Sequence, residues 1–100
     1  MVSNPRLRRT VLSVPASSGR MVAKARGIDA DNVMLDLEDA VAPSEKPAAR
    51  AAAAAGLASG PWAAGSVSVR VNGWASAWTY VDVVEVVSGA GASIDTLVLP

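Results

Sequence analysis

Three carboxylates lie within four positions of the sequence and directly follow an apolar run. They are Asp36, Glu38 and Asp39 in the stretch VMLDLEDAVAPSEKPAAR, residues 33–50, of a chain with nine acidic residues in total. On a strand, Asp36 and Glu38 would point to the same face because they are two positions apart, and Asp39 would begin the loop. The sequence contains no cysteine and no histidine, so any metal bound here would have oxygen ligands.

Arg70 is the second candidate for chemistry, and it also falls near the end of an expected strand. The valines of SVSVRVN, residues 66–72, alternate with polar residues, so Arg70 would share its face with Ser68 and Asn72. A guanidinium near a strand end is tolerated mainly when carboxylates or an anionic ligand pair with it. The pattern leaves two interpretations open: a functional site, or a solvated acidic turn with Arg70 as a structural ion-pair partner. For Asp36 the structural interpretation is the stronger one, because a carboxylate inside a strand frequently satisfies neighbouring backbone donors.

The remaining basic and aromatic residues are expected to be structural. The basic side chains of the expected helices are interpreted as solvated charges: Lys24, Lys46 and Arg50. The tryptophans are interpreted as packing residues: Trp62, Trp74 and Trp78. The SSGR stretch, residues 17–20, could receive a phosphate on the exposed N–H groups of a helix start, but short serine and glycine loops are common in proteins.

Strands and helices are predicted to alternate along the chain. Apolar and β-branched runs indicate strands at 10–14, 33–37, 66–72 and 94–100. Helices are indicated at 19–26, from Ser44 to the glycines of 56–60, and at 79–91, with Ser17 or Ser18 capping the first and Ser44 the second. Strict alternation favours parallel pairing, which leaves an open doubly wound sheet or a (β/α)₈ barrel. A barrel typically needs about 250 residues, so this chain would supply roughly the first four strands and three helices.

The composition excludes several classes of protein. Hydrophobic residues make up 51% of the chain, too many for a disordered segment, and nine basic residues balance nine acidic ones. Without net charge, neither nucleic acid nor an anionic membrane is an expected partner. No apolar run approaches the ~18 residues that cross a bilayer, and the run before Pro15 is shorter than the roughly 7–15 residues of a signal-peptide core. We therefore expect a cytoplasmic protein with an N-terminal arm at 1–8.

Four segments together resemble the N-terminal part of the citrate lyase β-subunit-like proteins, in the HpcH/HpaI aldolase superfamily. They are TVLSVPASSGRMVAKA, VMLDLEDAVAPSEKPAAR, VRVNG and DTLVLP. The most specific feature is DLEDAVAPSEKPAAR followed by VRVN, whereas LVLP alone would mean little. The resemblance covers residues 9–100, which would be the first, incomplete part of a barrel-shaped lyase domain.

The resemblance implies a (β/α)₈ barrel that makes or breaks a carbon–carbon bond in a CoA thioester with the help of Mg²⁺. Its relatives act on citramalyl, malyl, citryl and similar β-hydroxyacyl thioesters and release an acyl-CoA with a 2-oxo acid or the equivalent acid. Arg70 matches the family's substrate-binding arginine. Glu38 and Asp39 match an acidic pair that lies beside the metal and orients its water molecules. Arg70, Glu38 and Asp39 are therefore the expected catalytic residues.

Two departures from the family pattern affect the expected site. Relatives often carry a basic residue at Ser18 and a proline at Gly19, so Ser17, Arg20 and Lys24 are the further candidates for binding the CoA substrate. The acids that coordinate Mg²⁺ directly in relatives lie on later strands, so no direct metal ligand is expected in residues 1–100, and this stretch alone is expected to be inactive. Relatives are commonly trimers or hexamers, which implies a homo-oligomer.

Two other hypotheses stay open. The first is a non-catalytic half-barrel that assembles with a partner chain, or with itself, to cover an open sheet edge. The second is a flavodoxin-like binding domain, which would be stable, monomeric and indifferent to metal.

Overall fold

A computed structural model of the protein describes residues 9–100, and the arm predicted at 1–8 lies outside the described residues. Strands and helices alternate in the predicted order. The strands are β1 (Val11–Pro15), β2 (Asn32–Asp36), β3 (Ser66–Arg70) and β4 (Thr96–Val98). The helices are α1 (Gly19–Ala25), α2 (Lys46–Ala58) and α3 (Thr79–Ala90), with 3₁₀ turns at Pro43–Glu45 and Gly91–Ser93. Across 9–100, none of the helices combines the length and apolar character needed to cross a bilayer.

The four strands form one parallel sheet in the order β1-β2-β3-β4. Each strand pairs with the next one in the chain, and the register aligns Pro15 with Asp36, Asp36 with Arg70, and Arg70 with Val98. The carboxyl ends of the strands therefore lie along one edge of the sheet. A doubly wound sheet reverses its strand order. This sheet does not, which agrees with the barrel alternative.

One face of the sheet packs against the three helices in a single hydrophobic core. Leu35 of β2 and Val69 of β3 are 0% exposed on this face, and they share the core with Val22 of α1, Leu57 of α2 and Val86 of α3. The alternation of the strands supplies one apolar row each, and the helices supply the apolar stripes that cover those rows.

Small residues let α2 and α3 approach each other closely. A Cβ atom built on Gly89 would lie 3.0 Å from the Cβ atom of Ala54, a separation shorter than ordinary van der Waals contact. The alanine tract of α2 thus serves helix packing as well as helix propensity.

The other face of the sheet is polar, although it is also largely buried. Asn32 Nδ2 donates to Ser66 Oγ at 2.8 Å, and Ser68 Oγ donates to Asn32 Oδ1 at 2.8 Å. By register and alternation, these side chains share their face with Asp36 and Arg70. The polar face therefore leads to the candidate residues at the carboxyl edge.

Three local predictions are wrong. Ser44 does not cap α2: it lies within the turn Pro43–Glu45, because Pro43 already starts that turn and α2 begins only at Lys46. Strand β3 ends at Arg70, so Asn72 belongs to the following loop. Trp74 is 83% exposed rather than packed. The cap of α1 is correct, since Ser18 Oγ accepts from the Met21 N–H at 3.3 Å.

Truncation of Leu35 should destabilise the fold strongly. We expect Leu35→Ala to lower the free energy of unfolding by about 2–5 kcal/mol, because the lost contacts leave a cavity between the sheet and the helices. Val11→Ala, at a position that is 54% exposed, is the matched control and should change stability by less than about 1 kcal/mol. Urea unfolding followed by circular dichroism measures both. Equal effects at the two positions would contradict the proposed core.

Candidate functional site

Asp36 and Arg70 form a two-point ion pair at the carboxyl edge of the sheet. Arg70 Nε donates to Asp36 Oδ1 at 2.9 Å, and Arg70 Nη2 donates to Asp36 Oδ2 at 2.8 Å. The side chain of Asp36 is 1% exposed and that of Arg70 is 26% exposed. Two parallel hydrogen bonds fix the plane of the guanidinium as well as its position. Arg70 is thus held rigidly while part of its surface stays accessible.

Asp36 also organises the loop that follows β2. Its Oδ1 accepts from the Glu38 backbone N–H at 2.9 Å, and its Oδ2 accepts from the Ala40 backbone N–H at 3.1 Å. Burial by itself raises the pKa of Asp36, but the hydrogen bonds from Arg70 and from the two backbone amides outweigh it and hold the pKa below its ordinary value. Asp36 therefore fulfils the structural interpretation, as an ionised anchor for Arg70 and for the loop.

Glu38 and Asp39 lie in this loop, close to Arg70. Glu38 Oε1 is 3.7 Å from Arg70 Nε, and the Glu38 side chain is 30% exposed. Asp39 is exposed. The hydrogen bond to Asp36 is the main reason why the pKa of Arg70 is raised, and the charges of Glu38 and Asp39 add to the same effect. The fold thus brings together the three residues that were predicted as catalytic.

One side of the Arg70 guanidinium remains available for a ligand. Asp36 occupies Nε and one hydrogen of Nη2, while Nη1 donates no hydrogen bond to any residue of 9–100. A planar cation with unused N–H donors, fixed on a rigid strand, is suited to bind a carboxylate or an oxygen that gains negative charge.

The candidates in the loop after β1 and in α1 lie on the surface and outside this cluster. Ser17, Arg20 and Lys24 are exposed, and none of the ion pairs described within 9–100 includes Arg20 or Lys24. Ser17 lines a groove of about 200 Å³ together with Glu45 and alanines of α2. Geometry alone assigns no ligand to this groove.

Lys46 is not a solvated helix charge, contrary to the prediction. It is only 5% exposed. Its Nζ donates to the carbonyl oxygens of Leu37 and Glu38 at 3.0 and 2.9 Å. It also donates to Asn72 Oδ1 at 2.7 Å, and it lies 5.0 Å from the ring centroid of Trp78. A buried ammonium needs such partners because desolvation is costly, and the sequence pattern did not show that these partners would converge.

Arg50 is buried for a related reason, so its prediction as a surface charge is also wrong. Its Nε donates to Asp82 Oδ1 at 2.9 Å, and Asp82 is 0% exposed. Asp82 Oδ2 accepts from the Asn72 backbone N–H at 2.9 Å and from Asn72 Nδ2. Asn72 therefore faces the helices instead of sharing the face of Arg70. Asp82 lies in the first turn of α3, where it is flanked by valines, and this acidic residue in a largely apolar segment was the sequence signal that could have indicated a buried partner for Arg50.

The acidic residues offer the right atoms for a hard cation but not a full set of ligands. Glu38 and Asp39 supply carboxylate oxygens, which suit Mg²⁺. Among residues 9–100 no group of three or more acidic side chains is arranged to hold a metal ion. Within this stretch, the two carboxylates fit a role as partners of metal-bound water, and a complete shell needs further ligands.

Comparison with known proteins places these residues in a wider context. Residues 9–100 match the sequence profile of the HpcH/HpaI aldolase/citrate lyase family. The chain is 36% identical over 99 residues to the citrate lyase subunit beta of Leuconostoc mesenteroides subsp. cremoris. The alignment covers 99% of this chain and 32% of that protein. It is also 36% identical over 92 residues to the L-malyl-CoA/beta-methylmalyl-CoA lyase of Cereibacter sphaeroides. That alignment covers 92% of this chain and 29% of the lyase.

A solved structure supports the same relationship. CitE from Mycobacterium tuberculosis, in complex with magnesium, acetoacetate and coenzyme A, matches with a TM-score of 0.73 at 36% identity, covering 94% of this chain and 33% of that one. The chain thus spans about a third of the length of these relatives. The predicted fold is confirmed: sheet and helices correspond to part of a (β/α)₈ barrel and not to a flavodoxin-like domain.

Acid should remove the stabilisation that Asp36 provides. A carboxylate whose pKa is lowered on folding stabilises the fold above its unfolded pKa of about 3.9, and this contribution is lost as the pH falls from there through the folded pKa. We expect Asp36→Asn to lower the free energy of unfolding by about 2–3 kcal/mol near neutral pH, and the difference from wild type to shrink at about pH 3.

Urea unfolding at the two pH values measures this difference. Asp39→Asn is the control, because Asp39 is exposed and its substitution should change stability little at either pH. A difference for Asp36→Asn that stays the same in acid would contradict an ionised, stabilising Asp36.

Proposed function

The chain belongs to the HpcH/HpaI aldolase/citrate lyase family, and on that premise we propose that the protein is an Mg²⁺-dependent lyase of β-hydroxyacyl-CoA thioesters. The substrate would be a citramalyl, malyl or citryl thioester, and the products an acyl-CoA and a 2-oxo acid or the equivalent acid. The names of the relatives support this class, since they include a citrate lyase subunit and a malyl-CoA lyase. A neighbour solved with magnesium, acetoacetate and coenzyme A supports the ligand classes.

The proposed reaction moves negative charge between oxygen atoms. The β-hydroxyl group loses its proton, its oxygen becomes the carbonyl oxygen of the departing acid, and the bond between the α and β carbons breaks. The electron pair of that bond passes to the α carbon and is delocalised onto the thioester oxygen as an enolate, which then takes up a proton. The residues that matter most are those that bind these oxygens more strongly in the transition state than in the substrate.

The orientation of Arg70 is the single observation that carries the proposal. Asp36 holds the guanidinium by two hydrogen bonds, which leaves donors pointing away from that carboxylate. We assign Arg70 the role of binding the substrate carboxylate or the oxygen on which charge develops. Because Asp36 fixes the side chain in advance, little reorganisation is needed when the charge appears.

Glu38 and Asp39 are assigned to the metal side of the site. They would hold Mg²⁺ through its water molecules, since residues 9–100 do not offer a direct ligand cluster. When bound, Mg²⁺ would supply positive charge next to the oxygens of the substrate. Glu38 Oε1 lies 3.7 Å from Arg70 Nε. The negative charge of Glu38 therefore also offsets part of the positive charge of the guanidinium.

The remaining assignments follow the family. Ser17, Arg20 and Lys24 are proposed to contact the CoA part of the substrate, because all three are exposed and Ser17 borders a groove beside α2. We propose that the full-length protein is a cytoplasmic homo-oligomer, a trimer or hexamer, in which the other parts of the barrel complete the site.

The test is a cleavage assay with citramalyl-CoA, malyl-CoA and citryl-CoA, made with the protein at its natural length, with and without Mg²⁺. We expect Mg²⁺-dependent turnover of one of them and a loss of roughly 100-fold or more in kcat/KM for Arg70→Ala. Arg70→Lys should be similarly impaired, because an ammonium group cannot make the two-point pair with Asp36. Residues 1–100 alone should cleave none of the three thioesters.

Arg9→Ala is the matched control. Arg9 pairs with Asp31, with Nε 3.3 Å from Oδ2, just before the start of β2 and therefore at the opposite edge of the sheet. Its loss should leave kcat/KM unchanged. Turnover that does not respond to Arg70→Ala would contradict the role of Arg70. Absence of turnover with all three thioesters, together with stable assembly into a complex, would favour the non-catalytic half-barrel.

A further inference from the structure

Lys46 stands where a cation is unfavourable unless specific partners require it. It is the first residue of α2, and a positive charge at a helix start opposes the helix dipole. It is also buried, which adds the cost of removing an ammonium group from water. Three N–H groups meet three acceptor oxygens in Leu37, Glu38 and Asn72, so its hydrogen-bonding capacity is fully used.

The orientation of Asn72 shows that this arrangement is specified from both sides. Asp82 accepts from the backbone N–H and from the side-chain amide of Asn72, and Arg50 in turn donates to Asp82. With its Nδ2 directed to a carboxylate, Asn72 must direct its Oδ1 to the ammonium group. The loop after β3 is therefore tied through Lys46 to the loop after β2.

Lys46 acts on the backbone that carries the acidic pair. The N–H of Glu38 donates to Asp36, and the carbonyl oxygen of Glu38 accepts from Lys46. Both backbone polar groups of Glu38 are thus fixed, one by the anion that holds Arg70 and the other by the cation at the start of α2. Only side-chain rotation then decides where the Glu38 carboxylate lies relative to Arg70.

We propose that Lys46 is a positioning residue for the reaction, which sets the Glu38 carboxylate against Arg70 by binding the peptide that carries it. The inference rests on the proposed function for its kinetic consequence, but its structural part can be measured without any substrate. Lys46 itself is buried beneath the loop and is not assigned to contact the substrate.

Arg26 provides a matched control at the other end of α2. Its Nη2 donates to the Gly56 carbonyl oxygen at 2.8 Å and to Ser59 Oγ at 3.1 Å, and its Cζ lies 4.9 Å from the ring centroid of Trp62. Like Lys46, it is a cation that binds carbonyl oxygen and lies over an indole ring. Unlike Lys46, it lies far along the helix from the candidate site, so Arg26→Met tests loss of a similar anchor without loss of positioning.

The first experiment is amide hydrogen exchange of the protein without ligands. We expect Lys46→Met to raise exchange at the amides of Glu38 and Ala40 about tenfold relative to wild type, while Arg26→Met leaves them unchanged. Lys46→Arg is the second variant, in case the apolar one does not fold. A planar guanidinium cannot meet three acceptors arranged for an ammonium group, so the same amides should exchange faster. Unchanged exchange in a folded Lys46 variant would overturn the inference.

The second experiment measures cleavage of the thioester that the wild type turns over best. We expect Lys46→Arg to lower kcat about 100-fold, the loss typical of a displacement of about 1 Å, with little change in KM. In combination with Glu38→Gln, the effects should not add, because Lys46 acts through Glu38. Additive losses, or an equal loss in Arg26→Met, would show a merely structural role and overturn the inference.

The two experiments also separate this inference from the proposed function. If the wild type cleaves none of the thioesters, the lyase proposal fails, and hydrogen exchange still decides whether Lys46 positions the Glu38 segment. If the wild type is active and Lys46→Arg keeps full kcat, the lyase proposal stands and the positioning role is refuted.

Discussion

The alignment of β2 with β3 is the constraint on which the rest of the site depends. Parallel pairing sets Asp36 opposite Arg70, and a carboxylate buried to 1% exposure would be strongly unfavourable without a cationic partner. Arg70 satisfies it together with two backbone amides from the following loop. One pair of charges therefore stabilises the sheet edge, fixes the loop and orients a guanidinium, so stability and the proposed chemistry share the same atoms.

A second polar network supports the site from the helix side of the sheet. This network joins two cations through an amide and a carboxylate, in the order Lys46, Asn72, Asp82 and Arg50. Each of these residues is less than a tenth exposed. Buried ionic groups of this kind contribute little net stability compared with apolar packing. What they add is specificity, because only one arrangement of the two loops satisfies all of their hydrogen bonds. These hydrogen bonds therefore fix the position of the loop after β2 relative to the loop after β3.

Much of the fold could be predicted because it depends on local and periodic properties. The apolar runs of the strands, the alanine-rich α2 and the Ser18 cap are visible in the sequence, and strict alternation predicts parallel pairing. The errors fall where distant residues meet. Lys46 and Arg50 were predicted as solvated charges because their partners Asn72 and Asp82 are distant in sequence. Ser44 was wrongly predicted as a helix cap because the turn already begins at Pro43.

The candidate site divides in the same way. The sequence by itself determined which residue types are present and that any metal would have oxygen ligands. It also indicated that Arg70 lies near the end of one strand and that Glu38 and Asp39 lie where another strand gives way to a loop. Only the tertiary structure decided that Asp36 serves Arg70 as an anchor and that Lys46 and Asn72 join two loops. The physical reason is that periodicity fixes the face and the strand end on which a residue lies, whereas pairing of buried charges depends on strand register and helix packing.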